Sequence, residues 1–292
     1  QSLATPLKKE RSMLAATRRS VLTGFAAAPV LALGAATPAF ASLAQTFAAA
    51  AAPGQGASLD NAVWTQFMQT YVIADPSGVD LVRYGDITAG DREALKAYIA
   101  MLAGTDPASL DRDEQFAYWA NLYNAVTIEV VLDAYPVSSI KRINLGGLFG
   151  GPWKKELVTV NGTPLSLDNI EHDIMRPGWG DPRVHYAVNC ASIGCPNLGT
   201  RALTGTTLSD DLDVRARAYV NNKRGVTVEG ERIIASKIYR WFQEDFGNNE
   251  AGVLQHLRQY ADDTLAERLA GRSSVDSYRY DWALNDASIQ PS

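Results

Sequence analysis

Residues 113–134 read DEQFAYWANLYNAVTIEVVLDA, and this segment sets the class of the fold. Its apolar residues recur at steps of three and four, which is the period of one helix face. Tyr135-Pro136 follow directly, and a helix usually ends at or before the residue that precedes a proline. The sequence therefore predicts one long helix over 113–134. Its apolar stripe comprises Phe116, Trp119, Tyr123, Val126, Val130 and Ala134.

Shorter helices are predicted on both sides of this segment, because apolar residues show the same spacing in each of them. One of them, over 169–176, is expected to begin with Asp168 as its N-cap and Glu171 three residues later, which is the arrangement of a capping box. Pro177 is expected to end it. The other predicted helices span residues 59–73, 91–102, 208–221, 238–246 and 252–269.

Strands are predicted mainly as hairpins that lie between helices. One hairpin, over 156–167, turns at Asn161-Gly162, a pair that suits a type I′ turn. A second hairpin, over 225–235, turns at Glu229-Gly230. This order predicts an α+β fold, a mainly helical single domain with short antiparallel hairpins packed on helices. Single strands are expected at 82–87 and 184–188, and a glycine-rich loop at 146–152.

The beginning of the sequence has the pattern of an exported bacterial protein. Arg18-Arg19 precede an uncharged apolar run over 21–36, and Ala39 and Ala41 follow with the spacing of a cleavage site. Paired arginines favour the twin-arginine (Tat) route. The alternative is an uncleaved membrane helix, but the run is shorter than the roughly 20 residues that a span requires. We therefore expect a periplasmic or secreted protein that meets the Tat translocon during export and has no stable membrane insertion after cleavage.

The predicted organisation follows from this signal. Residues 1–41, or a signal that starts at Met13, form the signal segment; 42–58 form a linker, and 59–292 form one domain. Hydrophobic residues make up 46% of the chain, which is enough for a sizeable core. The net charge is −5 and no basic patch is visible, so nucleic acid is not an expected partner. A small-molecule or peptide substrate is the expected partner.

The residue types that carry chemistry are crowded into one segment. Two of the three histidines, His172 and His185, lie close in sequence to the only two cysteines, Cys190 and Cys195. Scattered at random, these residue types would rarely cluster within about 25 positions. The clustering predicts a functional site in this segment.

The position of His172 on the predicted short helix indicates on which face of the helix its side chain lies. Steps of four align His172 with Asp168 and Arg176, whereas Ile170 and Ile174 lie on a nearly opposite line. If the isoleucines face the core, His172 faces solvent or a cleft. An imidazole beside a carboxylate is well suited to proton transfer.

Three interpretations of the cysteines are open. In the first, Cys190 is a nucleophile that a histidine activates. In the second, a zinc ion is bound by His172, His185, Cys190 and Cys195, although this set lacks the paired short spacings of most zinc sites. In the third, the two cysteines form a structural or labile disulfide, as the proteins of an oxidising compartment often do. The first is favoured and needs no cofactor; zinc is the alternative.

The favoured interpretation assigns a role to each residue. Cys190 is expected to be the nucleophile, His172 the base, and Glu171 or Asp168 the carboxylate that orients the base. His185 is a further catalytic candidate, although alternation along a strand would direct it away from Cys190. Candidate substrate-binding residues are Asn121, Asn124, Asn189 and Arg176. For Asn121 and Asn124, buried hydrogen bonds to loop backbone are favoured over contact with a ligand.

Three motifs and a closing tripeptide give the sequence a resemblance to a known family. The motifs are YWANLYNA (118–125), LDNIEHDIMR (167–176), HYAVNCASIGCP (185–196) and YDW (280–282). Together they make the chain resemble the DUF547 family, a domain of unknown function found widely in bacteria and in some plant proteins. The resemblance is strongest over residues 110–245 and implies no established activity.

The resemblance nevertheless singles out residues. It implies that seven polar positions recur in the family, namely Asn121, Asn124, Glu171, His172, Arg176, His185 and Cys190. It also implies that plant relatives keep a cysteine at the position of Cys190 but often not at that of Cys195, which favours Cys190 as the functional atom. We therefore expect a thiol-dependent hydrolase or acyl transferase with a Cys–His pair. The alternative is a non-catalytic binding or scaffold module with a structural disulfide or zinc site.

Overall fold

The structure is a computed structural model that describes residues 42–145 and 150–288. The predicted signal segment, 1–41, and the middle of the predicted glycine-rich loop, 146–149, lie outside the described residues. Within those residues, no helix is long and apolar enough to cross a membrane. The mainly helical α+β fold with short antiparallel strand pairs is confirmed.

The first part of the chain builds a layer of helices around one central helix. Short helix α1 (Leu43–Thr46) is followed by α2 (Ala62–Tyr71), the antiparallel strands β1 (Val72–Ala74) and β2 (Asp80–Val82), α3 (Ala89–Ala103) and α4 (Arg112–Ala134). Helix α4 is the predicted long helix. The Asp111 side chain caps its first turn by accepting a hydrogen bond from the Glu114 backbone N–H. Buried residues cover all faces of α4, so this helix forms the centre of the larger core.

Two residues of the segment predicted as a linker, 42–58, contact the beginning and middle of α4. Phe47 is buried, and its ring lies edge-on to Trp119 of α4 at a centroid distance of 5.1 Å. Ala51 forms a β-bridge with Asp111 at the start of α4. The alanine-rich composition of 42–58 suggested a spacer, and most of its residues are exposed, but the single aromatic anchor Phe47 holds the start of the segment on α4.

The first predicted hairpin is confirmed, and the following helix differs from its prediction. Strands β3 (Val158–Val160) and β4 (Thr163–Leu165) pair across Asn161 and Gly162, which have φ values of 48° and 75°. Such positive φ values are what a type I′ turn requires. The chain then forms a π-helix over Asn169–Met175, which continues into α5 (Arg176–Trp179).

The predicted capping box of Asp168 and Glu171 is wrong, because Asp168 makes no side-chain cap hydrogen bond. Ser166 and Asn169 make the reciprocal hydrogen bonds instead, with each side chain accepting from the other backbone N–H at 3.0–3.1 Å. Pro177 does not end the helix either. It lies in the first turn of α5, and the chain stays helical through it from the π-helix as far as Trp179.

The strand predicted at 184–188 is also wrong, because this segment forms the short helix α6 (Val184–Ala187). A run of five mostly apolar residues fits a buried strand and a buried helix equally well, so periodicity could not decide between them. The predicted strand at 82–87 likewise stops at Val82, and a turn of 3₁₀-helix over Tyr84–Asp86 follows.

The last part of the chain forms a second core around a small sheet. Helix α7 (Leu208–Val220) leads to β5 (Val226–Glu229) and β6 (Arg232–Ser236), the second predicted hairpin, and to α8 (Ile238–Trp241), α9 (Glu250–Tyr260) and α10 (Asp263–Leu269). Strand β7 (Ser277–Arg279) pairs with β6 in parallel. The helix predicted over 252–269 is split because Asp262 caps a new helix. The third histidine, His256, is buried and hydrogen-bonds to the Tyr186 hydroxyl at 2.8 Å.

Candidate functional site

A cavity of about 190 Å³ collects most of the predicted site residues. It lies where the π-helix, the loop after α6, helix α8 and the chain after β7 meet. Both histidines of the sequence cluster, both cysteines and two carboxylates line it. The described lining residues are Tyr123, Trp153, Asp168, Glu171, His172, His185, Val188, Cys190, Cys195, Pro196, Ile238, Trp241, Phe242, Tyr280 and Trp282.

The π-helix turns two consecutive polar residues towards this cavity. Ile170 and Ile174 are buried in the core, as predicted, while Glu171 and His172 line the cavity between them. A π-helix is rare and is often found at functional sites. His172 keeps 31% of its side chain exposed, and its Nδ1 atom has no hydrogen-bond partner within the described residues.

Glu171 lies between the two imidazoles. Its Oε1 atom is 3.9 Å from His172 Nδ1 and 3.7 Å from His185 Nδ1. Burial raises the pKa of Glu171, but its interactions with His185, His172 and the Tyr123 hydroxyl outweigh burial and hold the pKa below its ordinary value. Glu171 is therefore an ionised carboxylate that can orient and stabilise both imidazoles.

His185 is held on its other side by Asp245, a residue that the sequence patterns did not single out. The Nε2 atom of His185 is 2.7 Å from Asp245 Oδ2, and its ring stacks on Phe242 at 4.4 Å. Burial lowers the pKa of His185, but the two carboxylates outweigh it and raise the pKa. Burial likewise opposes ionisation of Asp245, yet His185 and Arg176 lower its pKa to about 2.

Arg176 does not line the cavity. Its Nε atom donates to Asp245 Oδ2 at 2.5 Å, and its Nη2 atom donates to Glu244 Oε1 at 2.7 Å. The structure therefore gives Arg176 a supporting role behind His185, whereas the sequence placed it among the candidate substrate-binding residues.

Cys190 and Cys195 form a disulfide across the loop that follows α6, with Cα atoms 6.2 Å apart. The hydroxyl group of Tyr280 lies 3.2 Å from Cys190 Sγ and 3.1 Å from Cys195 Sγ. Cys195 is only 4% exposed, whereas Cys190 is partly exposed. Cys190 is therefore the more accessible sulfur, although it is a thiol only after the disulfide is reduced.

Three asparagines fix the loops around the site by backbone hydrogen bonds. Asn121 bonds to both the N–H and the C=O of Leu203, outside the cavity lining. Asn124 donates to Ala187 O at 2.9 Å and accepts from Asn189 N at 2.7 Å. The Asn189 side chain in turn donates to Pro196 O at 2.6 Å.

These bonds are of the kind favoured for Asn121 and Asn124 from the sequence. Asn124 fixes the end of α6, and Asn189 fixes the loop that carries both cysteines. Within the described residues the lining of the cavity includes none of the three asparagines.

One wall of the cavity consists of aromatic rings that pack on one another. Trp282 lies 5.7 Å from Trp153, 4.7 Å from Tyr280 and 5.6 Å from Trp241, measured between ring centroids. Tyr280 and Trp282 belong to the YDW motif that the sequence singled out. Trp241 and Phe242 were not singled out, because they lie in a segment predicted only as a helix.

The geometry does not favour the zinc alternative. The two sulfurs are bonded to each other, and His185 Nε2 is engaged by Asp245. In the part of the chain that the structure describes, no group of three or more His, Cys, Asp or Glu side chains is arranged to hold a metal ion.

The family resemblance is confirmed. Residues 107–220 match the family model described as a protein of unknown function, DUF547. No curated protein and no solved structure matches the chain. The DUF547 match contains α4, the π-helix and the disulfide loop, while Trp241, Tyr280 and Trp282 of the cavity lie beyond it. The cavity thus combines the matched region with side chains from the C-terminal part.

Proposed function

We propose that this protein is a thiol-dependent hydrolase or acyl transferase that becomes active when the Cys190–Cys195 disulfide is reduced. The observation that carries the proposal is the common cavity of Cys190, His172 and Glu171. A nucleophile, a base and a carboxylate that orients the base are the parts that thiol acyl transfer requires. The partial exposure of Cys190 supports it as the attacking sulfur.

The proposed reaction begins with reduction by a dithiol, which is itself oxidised to a disulfide. His172 then takes the proton of the Cys190 thiol, and the sulfur forms a bond to the acyl carbon of the substrate. The leaving group departs with the proton from His172. Water or an acceptor, deprotonated by the same imidazole, attacks the thioester, and the released Cys190 thiolate takes that proton back from His172. Glu171 stabilises the imidazolium form of His172 during both transfers.

We further propose that this chemistry takes place in the periplasm or outside the cell. The support is the sequence around Arg18-Arg19 and the cleavage pattern at Ala39 and Ala41. An oxidising compartment is consistent with a closed disulfide at rest.

Thiol reactivity and acylation test the proposal directly. In the full chain with Cys195→Ser, Cys190 is the only thiol, and its alkylation by iodoacetamide is followed against pH. We expect an apparent pKa below the value of about 8.5 for a free cysteine, and a higher value when His172→Gln is added. With p-nitrophenyl acetate, the reduced protein should release a burst of nitrophenol that the oxidised protein does not.

The matched control is Cys190→Ser, which leaves the buried Cys195 as the only thiol in the same loop. It should alkylate slowly and give no burst. An ordinary pKa for Cys190 that His172→Gln leaves unchanged, together with no burst, would rule the enzyme out.

The second candidate function is a non-catalytic binding module. One observation favours it: the loop of 189–196 is already closed by the disulfide and clamped by Asn189 between the Ala191 N–H and the Pro196 carbonyl. In such a module the disulfide would preserve the shape of the cavity wall. Ligand binding that is lost on reduction, without any burst, is the result that this candidate predicts.

A further inference from the structure

The cavity has the chemistry of a site for a positively charged amine. Six of its 15 described lining residues are tyrosine, tryptophan or phenylalanine, and one carboxylate in the lining, Asp168, lies 3.8 Å from its nearest basic atom. We propose that the ligand carries an alkylammonium group, which lies against Asp168 and the rings of Trp153, Trp241 and Trp282. As a statement about the substrate this inference rests on the proposed function, but the binding itself can be tested separately.

The carboxylate of Asp168 is the group that favours a positively charged ligand. Its carboxylate makes no hydrogen bond within the described residues, and its nearest basic atom is His172 Nε2 at 3.8 Å. About 29% of its side chain is exposed. Burial raises the pKa of Asp168, and the positive charges of His172 and Lys154 offset this effect only in part. An ammonium group in direct contact with the carboxylate would compensate it more fully.

The aromatic rings favour the same kind of ligand. A cation within about 6 Å of an aromatic ring centroid is attracted by the negative face of the ring. The chain itself has such a contact, because Lys141 Nζ lies 5.0 Å from the centroid of Trp282. Trp241 is 41% exposed, so its ring is accessible to a ligand that enters from solvent.

Other ligand charges fit the cavity less well. Glu171 is compensated by His185 and His172, so it does not offer a second free negative charge. Among the described residues, no arginine, lysine, asparagine or glutamine lines the cavity. The imidazole of His185 is already compensated by Glu171 and Asp245, so an anion would find little uncompensated positive charge in the lining. A sugar would find few of the amide and guanidinium groups that usually bind hydroxyl groups.

Binding of three small probes of equal size tests the inference. The oxidised full chain is titrated with n-butylammonium, n-butanol and butyrate by calorimetry and by tryptophan fluorescence. We expect n-butylammonium to bind at least about tenfold more tightly than n-butanol and butyrate to bind weakest. Asp168→Asn should weaken the binding of n-butylammonium about tenfold and leave n-butanol unaffected. Trp241→Leu should weaken it several-fold.

The matched control is Asp173→Asn, which changes an exposed carboxylate on the same π-helix. It should leave binding unchanged, and circular dichroism checks that each variant is folded. Equal binding of the three probes, tighter binding of butyrate, no binding of n-butylammonium, or an Asp168→Asn variant that binds it normally would each overturn the inference. Because the oxidised protein has no thiol, these outcomes are independent of the iodoacetamide and burst experiments.

Discussion

The hydroxyl group of Tyr280 lies 3.2 Å from the sulfur of Cys190. The same hydroxyl group is 3.1 Å from Cys195 Sγ and 2.9 Å from Ser192 Oγ. Burial raises the pKa of Tyr280 well above its ordinary range, so the group keeps its proton. It can therefore donate a hydrogen bond to whichever sulfur becomes a thiolate when the disulfide opens. This contact couples the C-terminal YDW motif to the chemistry of the cysteines.

The contact makes a prediction about the thiol of Cys190. In the Cys195→Ser background, Tyr280→Phe should raise the pKa of Cys190 by about one unit or more, because hydrogen bonds to charged groups contribute about 1.5–3 kcal/mol. The measurement is the pH profile of alkylation by iodoacetamide. Tyr278→Phe is the control, because the Tyr278 hydroxyl bonds to Glu250 rather than to a sulfur. If Tyr280→Phe, like the control, gives the profile of the parent Cys195→Ser protein, Tyr280 does not interact with the thiolate.

The disulfide should contribute only modestly to stability. It closes a loop with a sequence separation of 5 residues, for which the chain-entropy model gives about 2 kcal/mol. Reduction, or Cys195→Ser, should lower the free energy of unfolding by about this amount, as measured by urea denaturation. The protein should remain folded. If reduction unfolds the domain, the bond is structural and the binding module becomes the better function.

The stability of the site should depend on pH through Asp245 and His185. The pKa of Asp245 is lowered from 3.8 to about 2, so the stability that it contributes is complete above pH 3.8 and is lost as the pH falls through about 2. The pKa of His185 is raised above 6.5, so its contribution is complete below that value and is lost as the pH rises through the raised pKa. The contribution of the pair is therefore largest between these two limits.

Asp245→Asn tests this pair. The variant should lower the free energy of unfolding most at about pH 5, and the difference from wild type should shrink towards pH 2 and at alkaline pH. Urea denaturation across this pH range measures the difference. Asp263→Asn, an exposed change in the first turn of α10, is the control. A difference that is constant across pH would show that Asp245 acts only by packing.

The elements that the sequence predicted correctly are those whose conformation depends mainly on residues close to one another along the chain. Helix α4 follows from its own spacing and the proline after it, and the β3–β4 turn follows from Asn161-Gly162. The short segment at 184–187 was misassigned because its few apolar residues fit two conformations. For so short an element, tertiary packing decides the conformation.

The sequence likewise predicted only those site residues that lie close together along the chain. His172, Cys190 and Cys195 cluster in the sequence, so their cavity could be anticipated. Asp245 and Trp241 come from a distant segment that carries no motif, and only folding brings them to His185 and Trp282. At the start of the π-helix, Ser166 rather than Asp168 accepts the capping hydrogen bond, from the Asn169 backbone N–H. The spacing of residues in the sequence could not reveal this contact.

Asn121 and Asn124 test which of the polar residues in the DUF547-like motifs support the cavity. Both are buried in α4, and each satisfies backbone groups that would otherwise lack partners. Replacement of either by alanine leaves buried N–H and C=O groups unpaired, which costs about 1–3 kcal/mol for each group. Urea denaturation should therefore show both variants to be destabilised to a similar extent.

The two variants should differ in their effect on the cavity. Asn124 bonds to the backbone of Asn189, next to Cys190, whereas Asn121 bonds to Leu203 away from the lining. In the Cys195→Ser background, Asn124→Ala should change the alkylation profile of Cys190, and Asn121→Ala should not. If Asn121 only supports the backbone, Asn121→Ala should lower the stability of the protein before it affects binding. Impaired binding of n-butylammonium without a loss of stability would instead indicate that Asn121 contacts the ligand directly.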